Sequence, residues 1–418
     1  MKPSSGHLNQ ALLLLLLGSS LLSRLKVPDV GIGIHFILMG SVGLVAIIHN
    51  WPALIREFRC HRQLWILLGL FYSWVWISAL LSDWRAIALY YSLKYSIYAI
   101  VLCAFVALLR AIPQTSTADK IALSILTLIG MGGFLEQAFP HNELINFFSY
   151  PDHYPRIHSI IQGPNPFGVL MAISSIITLL WNRDRSYLPR QYWVYPFIIL
   201  IALSGSRNGW LVFAIGLVLV RINNYISFRL ATNLFLFLIV CLLLIQPSSE
   251  RIIPQLWANL NTPQAAIAQT SSINLATFHP PAVPHTSVDD RFILWKQATK
   301  TALEYPVSGV GIGVFQEVFC HQIYGHSRFN THNLFLGIWV ELGIIGVLFF
   351  VLTLGVVWKI AVKDHQTLLH FIPSILFLSS QMVDYFIYEY AVTTIAIYWF
   401  VRPLIQSRPR MVSDVIHK

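Results

Sequence analysis

Twelve apolar runs set the possibilities for this chain. They lie at about 11–25, 31–49, 64–82, 88–109, 121–138, 164–181, 193–205, 208–224, 230–246, 333–358, 366–382 and 388–405. About 20 apolar residues in a helix cross the hydrocarbon core of a bilayer. Inside that core no water pairs with the backbone, so only helices or closed barrels are admissible. A water-facing alternative fails on charge. Only 11% of the residues are charged and 56% are hydrophobic, whereas soluble domains carry about 25% and 45–50%. A soluble enzyme, a disordered chain, a collagen and a coiled coil are all excluded. The expected fold is an all-α polytopic membrane protein, a single integral membrane domain over 1–418 with about 12 transmembrane helices. The range is 11 to 13, because the run at 193–205 is short and the one at 333–358 has a possible break at Glu341–Gly343. The first run follows Lys2 in the manner of a signal peptide. No small-residue cleavage site follows it, so it is read as a retained helix.

The net charge of +10 is read as orientation rather than as a nucleic-acid surface. Cationic residues collect in cytoplasmic loops. With the N-terminus inside and the loops alternating, the inner side receives 17 Lys and Arg and the short outer loops receive 5. Both termini are then cytoplasmic, and 247–332 is one large extracytoplasmic loop. Its first half, rich in Pro, Ala, Ser, Thr and Asn, reads as irregular. Its second half, Arg291 to Glu304, has apolar residues near helical spacing. Asp289 and Asp290 stand where the helix dipole favours anions, and Pro306 ends the segment. This predicts a short amphipathic helix at the membrane surface, followed by the glycine-rich turn Ser308–Gly313. Cys60, Cys103, Cys241 and Cys320 show no metal-ligand or disulfide spacing.

Four features converge on the outer face. They are Arg156 to Gly168 with Pro164-Asn165, the turn Ser204-Gly-Ser-Arg207-Asn-Gly-Trp210, the surface helix with Arg291 and Trp295, and His332-Asn333 opening the tenth run. An arginine at the depth of Arg207 is costly unless it is partnered or meets an anion. Each cation alone has an ordinary explanation, as a snorkelling or exposed side chain. The outer carboxylates Asp152, Asp289, Asp290 and Asp384 are read as helix caps or hydrated groups. Collectively, three arginines and a histidine on one face suit a pyrophosphate. Guanidinium binds phosphate bidentately and stays charged, and an imidazole moves a proton near neutral pH.

These segments resemble the O-antigen ligase and polymerase superfamily. His332-Asn333, nine residues, then Gly343-Ile-Ile-Gly346 is similar to its H-[NSQ]-x9-G-x-x-G signature. Arg291-Phe-Ile-Leu-Trp295 with Tyr305-Pro-Val-Ser-Gly-Val-Gly-Ile-Gly313 resembles its R-x-x-x-W stretch and the glycine-rich turn after it. Ser206-Arg207 to Trp210 resembles its S-R-x-x-W turn, and Pro164-Asn165 its PN segment. The likeness covers about 150–350. It implies a metal-independent membrane glycosyltransferase with no cofactor, at the periplasmic face of a bacterial inner membrane. The donor would be a glycan on undecaprenyl pyrophosphate, and the acceptor a hydroxyl of a glycan, lipid or protein. Arg207 and Arg291 would hold the pyrophosphate, and His332 would position or deprotonate the acceptor. Arg156 is added as an anion-binding candidate on physical grounds, with Asn165, Trp295 and Asn333 as substrate-binding candidates. Ligases of the family often continue the last motif as G-x-x-G-T-G. Here Val347-Leu-Phe follows Gly346, and ligase against polymerase stays open. A competing class is a transporter or accessory protein for a small anion such as bicarbonate.

Overall fold

The structure, a computed structural model, describes residues 5–22, 33–112, 115–139, 156–157, 159–161, 163–180, 190–245, 287–324, 330–363, 365–384 and 390–406. Asp152 and most of the first half of loop 247–332 lie outside the described residues. Among those residues the chain is helical, with no strand. In order the helices are α1 (Ser5–Gly18), α2 (Ile34–His49), α3 (Trp51–Cys60), α4 (Arg62–Leu81), α5 (Arg85–Ala111), α6 (Thr115–Ala138), α7 (Pro164–Leu180), α8 (Val194–Ser204), α9 (Arg207–Ile222), α10 (Phe228–Leu244), α11 (Ser287–Glu304), α12 (Cys320–Tyr324), α13 (Leu334–Ala361), α14 (His365–Ser380) and α15 (Tyr390–Gln406).

Each apolar run carries a helix, but the helices differ in length. Four of them, Arg62–Leu81, Arg85–Ala111, Ser116–Ala138 and Leu334–Ala361, are long and apolar enough to cross a bilayer. A fifth is added if α2 and α3, bent by 82° at Asn50, make one span. Six further helices are apolar but only 10–17 residues long. At 1.5 Å per residue, the 11 residues of α8 rise only about 16 Å against a hydrocarbon core of about 30 Å. Helix α3 was not legible as a span. Its pattern is amphipathic, with Ala53, Leu54 and Glu57 buried and Trp51, Arg56 and Arg59 exposed.

The centre of the bundle is α7. Its side chains are buried on every face from Pro166 to Leu179, the pattern of a helix enclosed by others rather than amphipathic. Pro164 and Pro166 occupy its first turn, where the missing N–H is no loss. Helices α8, α9 and α14 flank it. Helix α8 ends on Gly205 in the left-handed conformation (φ 59°), and Ser206 caps α9 by accepting from Gly209 N. The chain therefore reverses within two residues. Gly209 then lies directly on α7, where an added Cβ would stand 2.8 Å from the carbonyl carbon of Gly168. This contact fixes the start of α9 beside Asn165.

Helix α13 is broken at Gly343 (φ 66°, ψ −171°), inside the expected segment Glu341–Gly343. The freed carbonyls are taken up by other elements. Val310 N donates to Val340 O, Gly311 N to Glu341 O, and Trp74 Nε1 to Leu342 O, while Ile344 N donates to Pro306 O. The glycine-rich turn is thus docked into the break. A Cβ on Gly309 would collide with Glu341, and one on Gly343 with Val307. Helix α11 forms as expected and buries Leu294, Ala298 and Ala302 in a cluster with Val310, Val314 and Val340.

Candidate active site

Three segment ends meet over the top of α7: the start of α9, the start of α13 and the turn Gln381–Asp384 after α14. The turn is held at both sides. Leu334 N donates to Gln381 O (2.9 Å), and Asn333 Nδ2 to Met382 O (3.2 Å). Asn208 Nδ2 donates to Ser380 O (3.1 Å) from the first turn of α9.

At the centre of this junction is a buried carboxylate, Asp384, 3% exposed. His332 Nδ1 lies 2.6 Å from its Oδ1. Asn165 Nδ2 donates to Oδ2 at 2.8 Å, and Arg291 Nη2 lies 3.4 Å from the same oxygen. The network extends through Asn165, whose Oδ1 accepts from Arg156 Nη2 at 2.9 Å. Arg156 also donates to Ser204 O (2.9 Å) and Gly205 O (3.3 Å). A Cβ on Gly205 would stand 3.1 Å from Arg156 Nε, so glycine here suits both the left-handed turn and the close approach of the arginine. Burial draws the Arg156 pKa below the ordinary arginine value, Arg207 adds to this, and Asp384 opposes it. Arg207, exposed at the first position of α9, is therefore close enough to act on Arg156.

Of the residues expected to share a site, Arg156, Asn165, Arg291 and His332 are joined through Asp384, with Arg207 coupled electrostatically to Arg156. The other two hold the frame. Asn333 Oδ1 caps α13 by accepting from Leu336 N (3.0 Å), and its amide N–H binds Met382 O. Trp295 Nε1 donates to Thr331 O (2.8 Å), bracing the residue before His332. Asn330 Oδ1 accepts from His332 N. His332 itself has positive φ (48°), an uncommon conformation for a non-glycine residue and one held here by its neighbours.

Asp384 departs from the sequence reading. It is neither a cap nor hydrated but the common acceptor of the site. It sits in no motif, and only the fold of the turn after α14 brings it under His332. Among the described residues there is no cluster of three or more His, Cys, Asp or Glu able to hold a metal.

The chain matches the family model described as O-antigen ligase over residues 192–351. This segment contains Arg207, Arg291, Trp295, His332 and Asn333, and the match supports the O-antigen ligase and polymerase superfamily read from the motifs. Arg156, Asn165 and Asp384 lie outside it. An uncharacterized protein of Haemophilus influenzae is 24% identical over 215 residues, 49% of this chain and 51% of the relative. The chain thus matches about half the length of that relative. With its long apolar helices, the chain is a multi-pass membrane protein in which residues 192–351 are similar to the O-antigen ligase family.

Proposed function

We propose that this protein is a twelve-span inner-membrane glycosyltransferase that moves a glycan from undecaprenyl pyrophosphate to an acceptor hydroxyl at the periplasmic face during surface polysaccharide assembly. The observation that carries this reading is the network on Asp384. It gathers Arg156 and Arg291 around one carboxylate, with Arg207 acting on Arg156 from beside it, so the three arginines exceed the carboxylate by two positive charges when His332 is neutral. In a partly buried setting such an excess favours a multivalent anion. A pyrophosphate leaving group supplies it.

The geometry supports the following roles. Arg207 and Arg291 receive the pyrophosphate, whose negative charge grows as the glycosyl bond breaks. His332 donates through Nδ1 to Asp384, which leaves Nε2 as the basic nitrogen. The acceptor oxygen attacks the anomeric carbon, its proton passes to Nε2, and the bonding electrons leave with the pyrophosphate oxygen. One displacement inverts the anomeric centre. Asp384 stabilises the imidazolium formed and is a positioning residue. Asn165, Asn333 and Trp295 hold the frame, and Arg156 keeps the turn Ser204–Ser206 in place.

The break in α13 bears on the transporter alternative. Broken helices in transporters offer free carbonyls to ions. Here Val340, Glu341 and Leu342 already accept from Val310, Gly311 and Trp74. The break is a docking joint and favours the enzyme. The deciding experiment is a gene deletion complemented with Arg207→Ala, Arg291→Ala and His332→Ala, with surface glycans run on a gel. The deletion should shorten or remove the glycan ladder, and none of the three variants should restore it. A normal ladder in the deletion strain would overturn the proposal.

A further inference from the structure

A cavity runs from beside the polar site into the helix bundle. It has a volume of about 750 Å3 and an almost wholly apolar lining, between α4, α5, α13, α14 and α15. It is long rather than round. On α4 its wall runs from Arg62 to Val75, and on α13 from Leu334 to Phe350. At 1.5 Å per residue these stretches rise about 20 and about 24 Å. Spread over that length, the cavity is a slot for an extended chain rather than a chamber for a folded headgroup.

The two ends of the slot differ. Toward the Asp384 site it reaches Leu334 and Gln381, and these two are joined by the Leu334 N to Gln381 O bond. The Asn333 amide is tied to Met382 O beside them. At the far end the lining includes Phe58 and the exposed Arg62. Arg56 and Arg59 stand exposed on α3, which turns 82° from α2. Burial holds the neighbouring His61 imidazole below its ordinary pKa, Glu57 opposes this, and Arg110 and Lys363 reinforce it. Arg62 lines this end of the apolar slot, Arg56 and Arg59 lie exposed on the adjoining α3, and Arg110 is paired with the buried Glu57 at 2.6 Å. The loops that carry them are on the inner side of the charge-based topology, where anionic headgroups lie.

We propose that this slot binds one acyl chain of an anionic phospholipid of the inner leaflet, with its phosphate on Arg62. An apolar channel with a basic mouth matches that ligand in both parts, and the bonded end near Leu334 disfavours a tail descending from the polar site. Gly69 lies on the wall, and a Cβ there meets no atom within 4 Å. The wall at that point is open rather than packed.

The test is native mass spectrometry of the full-length protein, purified in detergent and exchanged with vesicles of phosphatidylglycerol or of phosphatidylethanolamine. The wild type should retain one phosphatidylglycerol. Arg62→Gln should reduce its preference for phosphatidylglycerol over phosphatidylethanolamine about fivefold, the effect of about 1 kcal/mol from one cation near a headgroup. Gly69→Trp should abolish retention of both lipids, with an unchanged elution profile on size exclusion. Equal retention of the two lipids by the wild type overturns the proposal. So does retention that survives Gly69→Trp, or a co-purified polyprenyl phosphate in place of phospholipid. If Gly69→Trp does not fold, the Arg62→Gln preference decides alone. Because the readout is lipid retention and not glycan transfer, it is independent of the transferase reading.

Discussion

Asp384 joins a histidine, an arginine and an asparagine from three different parts of the chain. Asp384→Asn keeps its shape and removes its charge. The amide can still touch His332, but it no longer stabilises an imidazolium. Expected is a drop in glycan transfer of at least about 10²-fold, by analogy with carboxylates that orient a catalytic histidine, with protein level in the membrane unchanged. Quantified glycan ladders against an immunoblot check this. Asn165→Ala should be milder than Arg291→Ala, because the first loses a bridge and the second loses charge on the anion. Transfer rates in vesicles that rank the two in the opposite order would sink the assigned roles. Arg207, Arg291 and His332 could be singled out in sequence because they sit in short motifs, and Arg156 on physical grounds alone. Asp384 was not. It is a lone acid after an apolar run, and nothing in its neighbours announces a turn that folds under His332. Asn333 and Trp295 were legible as site residues, but their hydrogen bonds, which make them braces, depend on contacts with Met382 and Thr331.

At the scale of elements, the site rests on two places where backbone meets backbone. Gly209 on α9 lies against Gly168 on α7, and Gly343 accepts the Pro306–Gly311 segment into the break of α13. Gly343→Ala asks alanine to adopt a conformation almost confined to glycine and places a methyl against Val307. Expected is a destabilisation of at least about 1–3 kcal/mol, seen as a lower melting temperature in detergent. Gly355→Ala in the same helix meets no atom within 4 Å and serves as the control. It should be neutral or stabilising by up to about 1 kcal/mol. Gly209→Ala should lower stability by about 1–3 kcal/mol through overpacking. The break itself could be anticipated at Glu341–Gly343 from the length of the run 333–358. What fills it could not, since residues 306–311 are far from it in sequence.

At the scale of the whole molecule, the polar groups divide between the two ends. The end remote from the site is tied by Asp119 and Arg402. Asp119 is 3% exposed, binds Arg402 through both carboxylate oxygens, and accepts from Tyr398 OH at 2.9 Å. This fastens α6 to α15. Removing one partner of a buried pair leaves the other charge uncompensated, so Asp119→Asn should cost about 3–5 kcal/mol. Thermal unfolding in detergent should show it, while transfer per folded molecule stays near wild type. If activity per folded molecule fell in proportion to that for Asp384→Asn, the two ends would not be separate. The twelve runs and the charge asymmetry were visible in sequence because hydropathy and loop charge are local. The pairing of α6 with α15 was not, because it joins residues nearly 300 apart.

The Gly343 break also makes α13 a joint. The residues around the break, Val340 to Ile344, are fastened to the surface turn and to Trp74, and the segment beyond them, 345–361, makes none of these bonds. Bilayers of different thickness tilt long helices. A joint at this position takes up such tilt below the clamp, so His332 keeps its distance to Asp384. The proposed chemistry would thereby be insulated from the mechanics of the membrane.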